Sequence, residues 1–167
     1  MDEERIAELY RAYAGVGQAV ALSLCGDPAG AEDVFHDAFV NCAVGIGRLR
    51  DPERFRQYLL RAVIRTAISR QRRTASETRA LQRYKSSEAP RTDLAAASPI
   101  SKDVADALIS LPVRQRAAVA ARFLLDWSES QTADAMGCRI GTVKSLTSRG
   151  LAQLRRVINE GTLDERR

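Results

Sequence analysis

The run Ser128-Glu-Ser-Gln-Thr-Ala-Asp-Ala-Met-Gly-Cys-Arg-Ile-Gly-Thr-Val-Lys-Ser-Leu-Thr-Ser-Arg-Gly150 carries two helix signals and a turn between them. Ser128 and Gln131 have capping-box spacing, the serine able to cap and the glutamine able to reach back. Ala133 and Met136 form the inner side of a short helix. Gly137 stands at its end, where a left-handed backbone is cheapest for glycine. A longer helix follows, with Ile140, Val143, Leu151 and Leu154 turned inward. A short capped helix, a turn of about three residues and a longer second helix make a helix-turn-helix. Thr142, Lys144, Ser145, Ser148 and Arg149 point away from the apolar stripe, a mixture suited to phosphates and base edges together. Spacing alone also admits a plain helical hairpin with a solvated outer face.

Upstream, Val104, Leu108 and Leu111 open the same C-terminal domain, and Pro112 starts a further helix. Val119, Phe123 and Leu124 supply that helix's apolar side, and Asp126-Trp-Ser128 ends it. Ser86-Ser-Glu-Ala-Pro-Arg-Thr-Asp and Ala95-Ala-Ala-Ser-Pro99 have the small, polar, proline-bearing character of a linker.

The N-terminal segment is helical as well. Ile6, Leu9, Tyr10, Tyr13, Val16 or Gly17, Val20 and Leu24 recur at three- and four-residue steps until Gly26-Asp-Pro28 breaks the pattern. A second helix carries Ala31, Val34, Phe35, Ala38, Phe39, Cys42 and Ile46 on one stripe. Glu32, Asp33, His36 and Asp37 lie nearer its other side. Gly45, Gly47 and Arg48-Leu-Arg-Asp-Pro52 end it in a basic loop. A third helix starts near Glu53, with Phe55, Leu59, Ala62, Val63 and Thr66 buried. Its Tyr58, Arg61, Arg65 and Arg72 share another face, where arginine can neutralise phosphate and a ring can stack on a base. A solvated face with one snorkelling tyrosine is the alternative. Period-two alternation is almost absent, so the fold class is all-α.

Charge divides the chain further. Residues 1–47 hold two basic and eight acidic side chains, a balance of −6, whereas residues 48–91 hold thirteen and four, a balance of +9. Residues 92–167 stand at +2, within a total of +5. Blocks of opposite sign point to two different partners, the basic one a polyanion. No apolar run approaches the roughly 20 residues needed to span a bilayer, and Met-Asp-Glu-Glu-Arg is not a secretory start. An unexported, cytoplasmic protein is expected. Cys25, Cys42 and Cys138 form neither a CxxC pair nor a disulfide framework. They and the single histidine, His36, read as partly buried structural residues rather than metal ligands. Gly45 and Gly47 do not make a dinucleotide fingerprint, because Arg50 stands at the third glycine position. With no phosphate loop, no GxSxG and no metal cluster, an enzyme is the least expected class, and no cofactor is expected.

Leu111-Pro-Val-Arg-Gln-Arg116, Trp127-Ser-Glu-Ser-Gln-Thr-Ala133 and Gly137-Cys-Arg-Ile-Gly-Thr-Val-Lys-Ser145 resemble region 4 of bacterial sigma factors of the extracytoplasmic-function group. Leu9-Tyr-Arg-Ala-Tyr13, Gly26-Asp-Pro-Ala-Gly-Ala-Glu-Asp-Val34 and Phe55-Arg-Gln-Tyr-Leu-Leu-Arg-Ala62 resemble region 2. Thr147-Ser-Arg-Gly-Leu151 is similar to an actinobacterial, SigE-like subgroup. The resemblance implies two small helical domains, region 2 over 1–85 and region 4 over 102–160, joined by a flexible linker at 86–101. It implies that Asp33, His36 and Asp37 meet the β′ coiled coil of core RNA polymerase. Around the −10 element it implies Arg48, Arg50, Arg54, Arg56, Tyr58, Arg61 and Arg65; at the −35 element it implies Arg122, Arg139, Thr142, Lys144, Ser145, Ser148 and Arg149. The β flap of polymerase, promoter DNA and an anti-sigma factor are the other implied partners, without membrane insertion. The sequence departs from the family's pattern at Ala43 and Tyr58, where tryptophans are common, and at His36, where glutamine is frequent. A free-standing helix-turn-helix regulator would explain the C-terminal domain but not the −6/+9 arrangement, and a protein-binding helical adaptor would not need Lys144 and Arg149 outside.

Overall fold

A computed structural model describes residues 3–45, 51–81 and 102–164. Among these residues the chain forms seven α-helices and no strand, as the all-α reading expects: α1 (Glu3–Cys25), α2 (Pro28–Gly45), α3 (Pro52–Leu81), α4 (Lys102–Ser110), α5 (Val113–Phe123), α6 (Glu129–Met136) and α7 (Ile140–Asp164). The contacts divide them into two compact units, Met1–Asp93 and Leu94–Arg167.

In the first unit, Glu3 and Glu4 place negative charge at the positive end of the α1 dipole. Between α1 and α2, the Asp27 carboxylate accepts the Gly30 N–H at 2.6 Å and its carbonyl accepts the Ala31 N–H at 3.0 Å. This cap, followed by Pro28 in the first turn, starts α2. Of the stripe that the periodicity predicts, the last member, Ile46, lies outside the described residues, and Ala31, Val34, Phe35, Ala38, Phe39 and Cys42 are all buried. Their rings interlock with those of the neighbouring helices. Tyr10 lies 5.5 Å from Phe35 and 5.1 Å from Phe39, and Phe55 lies 6.1 Å from Phe39 and 5.6 Å from Tyr13. Offset and edge-on aromatic pairs of this kind add to their burial. Gly17 lets Phe35 lie directly on the α1 backbone, since a Cβ there would fall 2.4 Å from Cε2 of the ring.

Two expectations change. The buried part of α1 begins only at Gly17, and Tyr10 keeps an exposed edge. On α3, Leu60, Ile64, Ala67 and Ile68 are buried besides Phe55, Leu59 and Val63, while Ala62 and Thr66 are only partly covered. The reason is that α3 packs against both α1 and α2 and therefore buries a wider arc than one amphipathic stripe.

The second unit has a core of Ala107, Leu108, Leu111, Val119 and Leu154, with Val104, Leu151 and Val157 packed on it. Pro112 caps α5 at φ −53° and ψ 140°. Arg116 is only 4% exposed. Its Nη2 donates to the carbonyls of Ile109 and Leu111, the latter at 2.9 Å, and so satisfies groups left over at the end of α4. Arg122 Nη1 donates to the Trp127 carbonyl and ties down the chain after α5, where Asp126 adopts a left-handed φ of 52°. Trp127 itself is buried.

Three apolar residues expected to face inward do not. Phe123 and Leu124 are 59% and 42% exposed, because α5 buries the continuous run Arg116–Ala121 and ends before its last turn reaches a neighbour. Ile140 is 45% exposed, since it is the first residue of α7 and the inner position falls to Val143, which is fully buried.

Candidate functional site

The α6–α7 pair is held by local bonds. The Gln131 N–H donates to Ser128 Oγ at 3.1 Å, and the Ser128 N–H donates to Gln131 Oε1 at 2.8 Å, so both halves of the capping box are formed. Thr132 Oγ1 donates to the Ser128 carbonyl at 2.9 Å. At the other end Gly137 takes φ 60° and ψ 44°, and the Cys138 N–H returns to the Ala133 carbonyl at 3.0 Å. Glycine pays no Cβ penalty in that left-handed turn. The Arg139 carbonyl then accepts from the N–H groups of Thr142 and Val143, at 2.9 and 3.2 Å, and α7 begins. A rigid three-residue turn thus sets the direction of α7.

On α7, Thr142, Lys144, Ser145, Ser148 and Arg149 are all exposed, as is Arg139 at its start. At 3.6 residues per turn they occupy an arc of about 160° opposite Val143. Ser145 Oγ donates to the Gly141 carbonyl at 3.1 Å, whereas Lys144 Nζ lies 3.5 Å from Glu129 Oε2 on α6. This arc offers hydroxyl, ammonium and guanidinium groups to a surface that carries both phosphates and base edges. Arg122 is partly buried on α5, with one of its N–H groups already given to Trp127.

The second cationic surface is on α3. Arg54, Tyr58, Arg61, Arg65 and Arg72 fall within an arc of about 60° at the same helical repeat. Arg54, Tyr58, Arg65 and Arg72 are exposed and Arg61 is partly so. Arg54 Nε also lies 3.5 Å from Asp51 Oδ2. Arg56 leaves α3 on roughly the opposite side, out of this stripe. Arg48 and Arg50 lie outside the described residues.

The acidic groups gather elsewhere. Glu32, Asp33, His36 and Asp37 of α2 line a cavity of about 260 Å³ together with Tyr10 of α1 and Arg70 of α3. Arg70 Nη1 donates to Asp33 Oδ2 at 2.9 Å. His36 is exposed on this face, not partly buried, because the α2 core stripe is already filled by Val34, Phe35, Ala38 and Phe39. Cys42, on the buried stripe, has its thiol pushed up to about 11 by burial. Among the described residues no group of three or more His, Cys, Asp or Glu is arranged to hold a metal ion, and no helix is long and apolar enough to cross a membrane.

Sequence reasoning missed Arg70 and Glu129, which form ion pairs with candidate site residues on neighbouring helices. Arg70 left one trace in the sequence: it is out of register with the basic stripe of α3. Glu129 left none, since its partner stands fifteen positions away across a turn.

Two family models match the chain: Sigma-70 region 2 over residues 9–77 and Sigma-70, region 4 over residues 101–154. The chain is 34% identical over 129 residues to the ECF RNA polymerase sigma factor SigM of Mycobacterium tuberculosis. That match covers 77% of this chain and 64% of SigM, so the chain spans somewhat less than two thirds of that relative. It is 30% identical over 155 residues to the ECF RNA polymerase sigma factor SigL of the same organism, covering 91% of this chain and 88% of SigL. Among solved structures, the sigma factor RpoE in complex with the anti-sigma factor NepR from Bartonella quintana superposes with a TM-score of 0.69. That likeness is at 21% identity and covers 94% of this chain and 96% of the other. CnrH in complex with the cytosolic domain of CnrY gives 0.61, also at 21% identity, covering 95% and 90%. At that identity the two structures speak for the fold alone.

Proposed function

We propose, because the chain belongs to the extracytoplasmic-function (ECF) family of RNA polymerase sigma factors, that it binds core RNA polymerase and directs initiation at promoters with matching −10 and −35 elements. The observation that carries this reading is the order of surfaces along one chain. An acidic face on α2, a basic-aromatic stripe on α3 and a capped helix-turn-helix follow one another.

Residues 1–85 act as region 2 and 102–160 as region 4, with 86–101 as the linker. Asp33, His36 and Asp37 meet the β′ coiled coil, and region 4 meets the β flap. The α3 stripe holds the melted −10 strand. Extruding a base costs a few kcal/mol, offset by stacking on Tyr58, worth about 1–3 kcal/mol, and by phosphate neutralisation at Arg61 and Arg65. Arg48, Arg50 and Arg54 serve the flipped base, while Arg56, on the opposite side of α3, takes no part in it. The outer arc of α7, with Arg139 and Arg122 beside it, reads the −35 duplex in the major groove. The protein forms or breaks no bond in this role, and it works in the cytoplasm, where polymerase and DNA meet.

Thr147-Ser-Arg-Gly-Leu151 supports a place in a SigE-like actinobacterial subgroup. An anti-sigma factor is proposed as regulator, in line with the two solved complexes. Titrating labelled protein with core polymerase tests the reading. Nanomolar binding that weakens tenfold or more in Asp37→Ala supports it; absence of binding, or identical affinity for Asp37→Ala, refutes it.

A further inference from the structure

Lys144 is the exposed ammonium at one edge of the α7 arc, the edge beside α6. A lysine there, on a flexible stem with three donors, takes the nearest phosphate whatever the sequence beneath it. In this chain it does not stand free. Its Nζ is 3.5 Å from Glu129 Oε2, and the two side chains are 62% and 40% exposed. Glu129 is the first residue of α6, where the helix dipole favours a carboxylate. Its backbone is fixed by the Ser128–Gln131 capping box. The carboxylate is therefore presented from the first turn of α6, within reach of the Lys144 ammonium.

We propose that Glu129 is a specificity-determining residue of the α7 face, holding the Lys144 ammonium back from the DNA backbone and so suppressing binding to duplexes of any sequence. The inference rests on the reading of α7 as the helix that meets the −35 duplex. Two effects act together. The ion pair must be broken before Lys144 can neutralise a phosphate, and an exposed pair of this kind is worth a factor of up to about five. The carboxylate also faces the negative DNA surface and is repelled by it. The repulsion is common to all duplexes. The cost of breaking the pair falls on non-promoter DNA, where Lys144 must leave Glu129 to reach a phosphate, whereas on a promoter base-edge contacts set the register and Lys144 keeps its pair. Thr142, Ser145 and Arg149, which have the donors and acceptors to read base edges, then carry more of the total binding. In a chain of net charge +5, restraint on sequence-independent binding raises the ratio of specific to non-specific occupancy.

The test uses holoenzyme assembled from the full chain and core polymerase. Binding is measured from low to moderate salt on two duplexes: a promoter recovered by initiation from a library, and a scrambled duplex of equal length. Glu129→Gln keeps the side-chain shape, and Trp127 fluorescence verifies that its unit is folded. The expected result is about two- to fivefold tighter binding to the scrambled duplex, a lower promoter-to-scrambled ratio, and a salt slope steeper by about one. Adding Lys144→Gln removes the gain in slope. An unchanged slope and ratio in Glu129→Gln, with Lys144→Gln still weakening binding, overturns the role of Glu129. A result in which neither Lys144→Gln nor Arg149→Ala alters promoter binding instead overturns the reading of α7, and this inference with it. A purely structural tie between α6 and α7 would move the unfolding temperature but not the salt slope, and that outcome also refutes the proposal.

Discussion

Replacing Gly17 by alanine puts a methyl carbon 2.4 Å from Cε2 and 2.6 Å from Cδ2 of Phe35. Carbon atoms in contact prefer separations of about 3.5–4.0 Å, so the ring or the helix must move by about 1 Å. Phe35 has little room to move: it is fully buried and its ring lies 5.5 Å from that of Tyr10 and 6.0 Å from that of Phe39. Overpacking of this type costs about 1–3 kcal/mol, against a gain of up to about 1 kcal/mol for alanine over glycine in a helix. With a displacement this large in an enclosed ring cluster, the net loss is about 2 kcal/mol, or roughly 10 °C for a unit of this size. Gly15, two residues earlier on α1, supplies the control. A Cβ there meets nothing within 4 Å, so Gly15→Ala raises stability by about 0.4–1 kcal/mol. Thermal unfolding followed by circular dichroism, with hydrogen exchange read on the α1 and α2 amides, measures both. If Gly17→Ala proved as stable as Gly15→Ala, the close crossing of α1 and α2 would be wrong.

Further outcomes concern the cap, a thiol and the two faces. Ser128→Ala removes the side-chain half of the capping box and lowers stability by about 1 kcal/mol, read by fluorescence of the buried Trp127. The Cys42 thiol, raised from 9.0 to about 11, alkylates at pH 8 about a hundredfold more slowly than an ordinary cysteine; equal rates at all three cysteines contradict its burial. Because this pKa is raised in the folded state, the stability it contributes is complete below pH 9 and is lost as pH rises through about 11. A denaturation series over that window checks the sign. Arg149→Ala weakens −35-dependent initiation at least fivefold and leaves core binding unchanged, whereas Asp37→Ala weakens core binding, with initiation restored at saturating protein. Loss of core binding in Arg149→Ala, or unchanged core affinity in Asp37→Ala, counts against separate faces.

Local patterns were legible in the residues themselves. The α2 core stripe, the Ser128–Gln131 box and the Gly137 turn each depend on neighbours within four or five positions, and all are present. Periodicity misled at helix ends. Phe123, Leu124 and Ile140 continue an apolar pattern, but a terminal turn has no packing partner guaranteed by spacing. Arg116 carries no burial signal in the sequence, yet it is only 4% exposed because its guanidinium donates to the carbonyls of Ile109 near the end of α4 and Leu111 just after it. The ion pairs Arg70–Asp33 and Lys144–Glu129 join different helices, so only the packed structure brings them together. Arg56 differs from these, since helical spacing alone places it about 160–200° from Arg54 and Tyr58 and its membership of a basic segment concealed that.

Reconstitution with core RNA polymerase on a promoter library examines the proposed function itself. Transcripts are sequenced from reactions containing core alone, core with the protein, and core with Tyr58→Ala or Arg149→Ala. The account predicts initiation from a set of sites that share −10 and −35 sequences and appear only with the protein, with reduced output in both variants. Binding to core without any change in start sites, or start sites indifferent to both substitutions, would contradict it.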